Sequence, residues 1–205
     1  MSIQSLGKQS LIYGFGHVLT RLASFLLLPL LTNSLTTEDY GIISIIYIFI
    51  GFAMTIYRYG MDTALMKFYI QSDDPKSYFS TILLLQVITS LIFSTILFLL
   101  RYHIEPLLIG NGNTHLIFYI AIIIFCDIIW NLIVITLRVS NKAFQFISFN
   151  IVNVIIMLSS TIYLVNVCEM GIDGVLLGNV IPAIIMLLAS CALLLNTFSI
   201  QKIKL

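Results

Sequence analysis

Two ionisable residues stand near the middle of long apolar segments. Arg21 is the eleventh of the 21 residues in segment 11–31, and Asp127 is the twelfth of the 22 residues in segment 116–137. A charge at such a depth in a bilayer costs roughly 2.5–3.5 kcal/mol on insertion scales, so it needs a partner or a hydrated cavity. Arginine donates to anionic groups, whereas a carboxylate accepts a cation or a proton. The sequence therefore predicts charge chemistry inside a membrane.

Further polar side chains occur at similar depths in these and the neighbouring segments: His17, Gln86, Trp130, Asn131, Asn150 and Asn153. We predict that they line a hydrated substrate cavity, in which Arg21 binds an anionic group and Asp127 binds a cation or a proton. A simpler interpretation is that they are interhelical hydrogen-bonding groups worth ~0.6 kcal/mol each, with Arg21 and Asp127 as a buried pair. On either interpretation, Gly174 and Gly178 are spaced for close helix packing.

The composition identifies the chain as an integral membrane protein. Of its 205 residues, 60% are hydrophobic and 9% charged, whereas soluble domains average ~25% charged residues. Basic residues are scattered and form no face interleaved with aromatic residues, so nucleic acid is not an expected partner. The three cysteines include no C-x-x-C pair, which predicts neither a disulfide framework nor a metal site.

Six apolar segments predict an all-α, polytopic bundle that forms a single domain over residues 1–205. Each segment approaches the ~20 residues that a spanning helix needs, and unpaired strands would leave backbone groups unsatisfied in lipid. The first segment shows no cleavage site and is expected to be an uncleaved anchor. The segments are 11–31, 40–57, 78–100, 116–137, 144–167 and 175–195.

The basic residues predict the orientation. If the N-terminus is cytoplasmic, eight of the ten lysines and arginines fall in cytoplasmic segments, and only Arg101 falls in an external one. The positive-inside rule then places both termini in the cytoplasm.

Enzyme motifs are not found in the sequence. There is no G-x-S-x-G, no H-E-x-x-H and no pair of carboxylates on one external connection, so neither catalysis nor a resident cofactor is expected. His103 and His115 are expected to be solvated residues of an external connection.

Several sequence patches occur in a recognisable order: residues 21–25 with Pro29 and 37–41, then 58–69, 137–138 and 171–174. Together they resemble the N-terminal half of bacterial polysaccharide flippases, the O-antigen and teichoic-acid exporters of the multidrug/oligosaccharidyl-lipid/polysaccharide exporter superfamily. They are similar to that family's first helix with its proline and the acidic-Tyr-Gly start of the second, its second cytoplasmic connection, and the starts of its fifth and sixth helices.

The resemblance implies that the chain flips a lipid-linked oligosaccharide across the bacterial cytoplasmic membrane by alternating access. It also implies that Arg21, Arg58 and Lys67 receive the pyrophosphate. Family members have about twice as many helices in two lobes, so a second six-helix lobe is an expected partner beside membrane lipids. The coupling ion stays open between H⁺ and Na⁺.

Two alternatives stay open beside this interpretation. One is half of a cation-coupled multidrug exporter, which the cationic Arg21 and the basic inner connections disfavour. The other is a non-transporting remnant or assembly partner. A membrane-embedded glycosyltransferase is disfavoured because the chain has no sizeable segment outside its apolar spans.

Overall fold

The computed structural model describes residues 25, 27–29, 31–110 and 113–197, with side chains to residue 194. Within these ranges the chain is helical apart from short turns and contains no strand. Most of the first predicted span lies outside the described residues, as do His17 and Arg21.

The helices are named here in chain order. They are α1 (Thr37–Arg58), α2 (Met61–Gln71), α3 (Pro75–Leu99), α4 (Arg101–Leu108), α5 (Thr114–Val139), α6 (Ala143–Ile162) and α7 (Gly171–Thr197). A π-helical turn, Tyr163–Val167, extends α6.

Five of these helices are long and apolar enough to cross a membrane: α1, α3, α5, α6 with its π-helical turn, and α7. They correspond to the second to sixth predicted spans, so the prediction of an all-α, polytopic membrane protein is confirmed. Local sequence also sets two helix starts. The Thr36 hydroxyl accepts a hydrogen bond from the Asp39 backbone N–H, and Asp74 precedes Pro75 and caps α3.

Helix α5 forms the centre of the bundle and packs against α1, α2, α3, α6 and α7. Its mean hydropathy of 2.6 is the highest among the five spans. A helix that is apolar on all sides is covered either by lipid or by protein. Protein covers α5, since residues on several of its faces are buried: Ile117, Ile120, Ile124, Leu132 and Ile133.

The segment after α1 differs from its prediction as a cytoplasmic connection. Helix α1 ends at a turn in which Tyr59 and Gly60 have φ angles of 30° and 86°, and glycine adopts that backbone region at little cost. Helix α2 then packs on α3 and α5. Leu65 is fully buried in a cluster with Phe79 and Leu132. The segment is too short and too polar to read as a span, but its apolar residues recur at helical spacing and pack on the bundle.

The glycines of α7 provide the close packing that their spacing predicts. A Cβ atom at Gly178 would lie 2.3 Å from Thr161 Oγ1, and one at Gly174 would lie 3.1 Å from the backbone of Leu164. The Ser160 hydroxyl donates to the Gly178 carbonyl at 2.9 Å. Helices α6 and α7 therefore pack so closely at these glycines that there is no room for a side chain between their backbones.

The predicted external connection also contains ordered structure. Helix α4 follows α3 directly, and the buried Glu105 carboxylate accepts hydrogen bonds from the backbone N–H of Asn113 and the hydroxyl of Thr114 at the start of α5. His115 lies in the first turn of α5, with Nε2 2.8 Å from Asp173 Oδ1. His115 is exposed, as expected of a solvated residue, but it lies on α5 and pairs the first turns of α5 and α7.

Candidate functional site

The end of α1 lies inside the bundle. The Tyr57 carbonyl accepts a hydrogen bond at 2.8 Å from Nε2 of Gln86, which also contacts Ser90. Gln86 is only 1% exposed and is the twelfth of the 25 residues of α3. A helix end leaves carbonyls without intrahelical partners, and Gln86 satisfies one of them. The C-terminal end of α1 is thus level with the middle of α3.

Arg58, the last residue of α1, follows Tyr57 directly and places a positive charge near the middle of α3. Its Nη1 lies 3.6 Å from Asp62 Oδ2 across the turn, and its side chain is 34% exposed. Its Nε is buried and has no hydrogen-bond partner in the part of the chain that the structure describes. The prediction placed Arg58 in a cytoplasmic connection. The structure places it deeper, because α2 continues to pack along the bundle beyond it.

Asp62, at the start of α2, is the ion-pair partner of Arg58. Burial raises the pKa of the Asp62 carboxyl, and the positive charge of Arg58 opposes part of that rise. The turn at Tyr59 and Gly60 separates the two residues onto different helices, so the helical i, i+4 spacing in the sequence does not explain this pair.

The Asp127 side chain, near the middle of α5, accepts a hydrogen bond from a residue of the same helix. The indole N–H of Trp130 donates to Asp127 Oδ1 at 2.8 Å. Trp130 is 5% exposed and packs in a cluster with Val134, Phe146 and Met186. Neighbouring side chains cover the ring in this conformation, and its place in the substrate cavity stays a prediction. Its neighbour Asn131 is half-buried, with no side-chain hydrogen bond within the described ranges.

Arg58 and Asp127 lie on α1 and α5, two helices that pack against each other. Their neighbours Tyr57 and Ile128 share a core cluster, and Arg58 pairs with Asp62 at 3.6 Å. We call Arg58, Asp62, Asp127 and Trp130 the Arg58 cluster. Sequence reasoning paired Asp127 with Arg21, which lies outside the described residues, and it missed Asp62 as a partner of Arg58.

Other predicted site residues do not join the Arg58 cluster. Lys67 is exposed, with its ammonium 5.9 Å from the ring centroid of Phe68. The Asn150 side chain donates to the Phe146 carbonyl at 2.7 Å within α6. Asn153 is half-buried and makes no side-chain hydrogen bond to any part of the chain that is described. The three residues stay predicted cavity residues without a direct contact to Arg58 or Asp127.

A separate cavity of about 340 Å³ lies between α1, α6, α7 and the residues before α1. Its lining is mostly apolar, with a polar contact at 2.9 Å between the Asn179 amide and the Tyr47 hydroxyl.

Comparison with known proteins yields one family. The family model described as "Polysaccharide biosynthesis protein" matches residues 6–205. No curated protein and no solved structure gives a significant match.

Proposed function

Since the chain belongs to the polysaccharide biosynthesis protein family, we propose that it flips a polyprenyl-diphosphate-linked oligosaccharide across the bacterial cytoplasmic membrane by alternating access. Family membership and five membrane-spanning helices assign it, more broadly, to polysaccharide biosynthesis or export as a multi-pass membrane protein. We also propose that the chain catalyses no chemical reaction.

The observation that carries the proposal is the position of Arg58. A buried guanidinium nitrogen without a hydrogen-bond partner in the described part of the chain is an unused donor, and leaving such a group unpaired costs roughly 1–3 kcal/mol. A diphosphate offers several acceptor oxygens, and arginine binds such groups in a bidentate, charge-assisted manner. An anionic lipid headgroup that reaches this level of the bundle would satisfy the donor.

The other basic residues have separate roles in the proposal. The exposed Lys67 attracts the headgroup at the membrane surface, Arg58 binds it between the helices, and Arg21 binds it at a later position. Eight of the ten basic residues fall on one side in the predicted topology, which places this entrance and both termini in the cytoplasm. The isoprenoid tail stays in the bilayer while the sugars cross beside the half-buried amides of Asn131, Asn150 and Asn153.

Six helices form one wall of such a pathway, so a second six-helix lobe completes it. Asp127 remains the proposed site for a coupling ion, H⁺ or Na⁺. A cation-coupled drug exporter is the alternative, and the buried Arg58 donor without a hydrogen-bond partner among the described residues weighs against it. A guanidinium at this level repels a cationic drug and attracts an anionic headgroup.

The experiment is restoration of surface polysaccharide in a flippase-deficient bacterium by the chain, supplied with a second lobe in trans or by fusion. Arg58→Ala should lose most of the restoration. Arg58→Lys should keep part of it, since lysine retains the charge but not the bidentate geometry. Arg101→Ala is the control, because the Arg101 guanidinium packs between the rings of Phe98 and Tyr102 outside the cluster. Full restoration by Arg58→Ala at normal expression would contradict the proposal.

A further inference from the structure

We propose that Asp62 makes the Arg58 site selective for a diphosphate: its carboxylate pairs with the guanidinium while the site is empty, and only a strongly anionic headgroup replaces it. The ligands refused in this way are the singly charged phospholipids of the surrounding bilayer. This inference rests on the proposed function, because it assumes an anionic substrate at Arg58. Asp62 is accordingly a specificity-determining residue that acts through Arg58.

The first support is the direct contact between the two side chains. Arg58 Nη1 lies 3.6 Å from Asp62 Oδ2, and the side chains are 34% and 28% exposed. A ligand can therefore reach the pair while the helices stay folded. Carboxylate and phosphate oxygens accept from the same donors of a guanidinium, so Asp62 lies in direct competition with an anion for Arg58.

The second support is that this ion pair is incomplete. Its separation of 3.6 Å exceeds the hydrogen-bond range of about 2.7–3.2 Å. The Nε of Arg58 has no hydrogen-bond partner among the described residues, whereas an arginine committed to a structural pair would use its planar fork in two parallel bonds. Burial raises the pKa of the Asp62 carboxyl by more than Arg58 lowers it, so the pair compensates the carboxylate only in part. A ligand that accepts two bonds therefore binds Arg58 better than Asp62 does.

The third support is that Asp62 keeps a favourable environment when Arg58 turns to a ligand. It is the second residue of α2, and the unpaired N–H groups of a first helical turn favour a negative charge. Gly60, at the cap of α2, provides no side-chain hydrogen bond to these groups. Helix α2 itself is held in the bundle by Leu65, which packs in a cluster with Phe79. Exchange of partners can therefore proceed by side-chain rotation while α2 stays packed.

The selectivity follows from the charge of each headgroup. A phospholipid phosphodiester carries one negative charge, as the Asp62 carboxylate does, so replacing one by the other gains little electrostatic energy. A lipid-linked diphosphate carries at least two negative charges and more acceptor oxygens, so it gains more. Anionic phospholipids are present at the membrane surface, and an arginine without a partner would bind them. Since specificity is a difference between two affinities, a competing carboxylate that weak anions fail to displace improves it.

The test is equilibrium binding of radiolabelled farnesyl diphosphate to the full chain in nanodiscs, with farnesol as the control for tail binding alone. One set of nanodiscs contains only phosphatidylcholine, and in a second set phosphatidylglycerol replaces part of it. A negatively charged bilayer repels the probe in every case, so each variant is compared with the unsubstituted chain in the same nanodiscs.

In phosphatidylcholine, Asp62→Asn should tighten diphosphate binding by about fivefold or more, as typical couplings between sites do. In the nanodiscs with phosphatidylglycerol most of that gain should be lost, because the phospholipid occupies the freed Arg58. Asp62→Glu retains the charge and should keep most of the selectivity. Asp73→Asn is the matched control, since it removes an exposed aspartate from the turn between α2 and α3, and it should leave both affinities unchanged.

Arg58→Gln should abolish the difference between farnesyl diphosphate and farnesol. Asp62→Asn should then have no effect in the Arg58→Gln background, an outcome that a merely structural role of Asp62 would not produce. Asp62→Ser also removes the charge, and it keeps the test decisive if Asp62→Asn fails to fold.

Two results would overturn the inference but leave the proposed function standing. One is unchanged or weaker diphosphate binding in a folded variant without the Asp62 charge, with binding still dependent on Arg58. The other is a gain in affinity that persists in full in the nanodiscs with phosphatidylglycerol. Equal binding of farnesyl diphosphate and farnesol by the unsubstituted chain would instead overturn the proposed function itself.

Discussion

Replacing Gly178 by alanine should separate the two helices that meet at this residue. The added Cβ would lie 2.3 Å from Thr161 Oγ1 and 2.8 Å from Thr161 Cα. Rotation of the threonine side chain relieves the first contact but not the second, which involves backbone. Ordinary contact begins near 3.4 Å, so α6 and α7 must move apart locally by about 0.6 Å, the difference between 3.4 and 2.8 Å.

The cost of this separation can be isolated with a control glycine. Overpacking a well-packed interface costs typically 1–3 kcal/mol, whereas alanine favours helix over glycine by about 0.8–1 kcal/mol. Gly51 in α1 is the control, because a Cβ there would meet nothing within 4 Å among the described residues. Since helix propensity contributes similarly at both positions, Gly178→Ala should be less stable than Gly51→Ala by about 1–3 kcal/mol.

The assay is reversible unfolding in mixed micelles of dodecyl maltoside and dodecyl sulfate, followed by the fluorescence of Trp130. Adding Thr161→Ala to Gly178→Ala removes the hydroxyl contact but leaves the backbone contact, so it should restore only part of the lost stability. Equal unfolding free energies for Gly178→Ala and Gly51→Ala would refute the close approach of α6 and α7.

Three further predictions concern the same unfolding free energy. Gln86→Leu should lower it by about 1–3 kcal/mol, because the Tyr57 carbonyl at the end of α1 loses its buried donor; an unchanged value would contradict that capping role. Glu105→Gln should lower it by about 0.5–2 kcal/mol, since a charged acceptor at the start of α5 becomes neutral; a stability equal to that of the unsubstituted chain would argue against it. Burial raises the pKa of Asp62 above its ordinary value of 3.8, so its contribution to stability is complete below pH 3.8 and is lost as pH rises through the folded-state pKa. Asp62→Asn should remove that loss, so the stability of the variant relative to the unsubstituted chain should increase across this pH window and stay constant outside it.

The spanning helices were predictable because the bilayer imposes their length. Any helix that crosses the hydrocarbon core needs ~20 apolar residues, so α1, α3, α5, α6 and α7 are visible in the sequence without knowledge of their neighbours. Helix α2 was not, because its 11 residues include Asp62 and Lys67 and its burial comes from the surfaces of α3 and α5. Propensity and periodicity do not reveal such a tertiary contact.

The candidate site was predictable only in part for the same reason. The depth of Asp127 within an apolar segment showed that it needs a compensating group. Which group meets it depends on how the helices pack, and a single sequence does not specify that packing. The contact of Trp130 shows the same limit: its position at mid-span predicted a cavity-lining residue, whereas helix packing buries the ring and its N–H donates to Asp127.

The central claim is that Arg58 binds the diphosphate of a lipid-linked sugar as the lipid crosses the bilayer. Its most direct test is the rate at which a fluorescent polyprenyl-diphosphate disaccharide moves between leaflets of proteoliposomes that contain the chain with a second lobe. The account predicts rapid movement with the unsubstituted chain and with Arg101→Ala, reduced movement with Arg58→Lys, and almost none with Arg58→Ala. Movement at the unsubstituted rate with correctly inserted Arg58→Ala protein would contradict it.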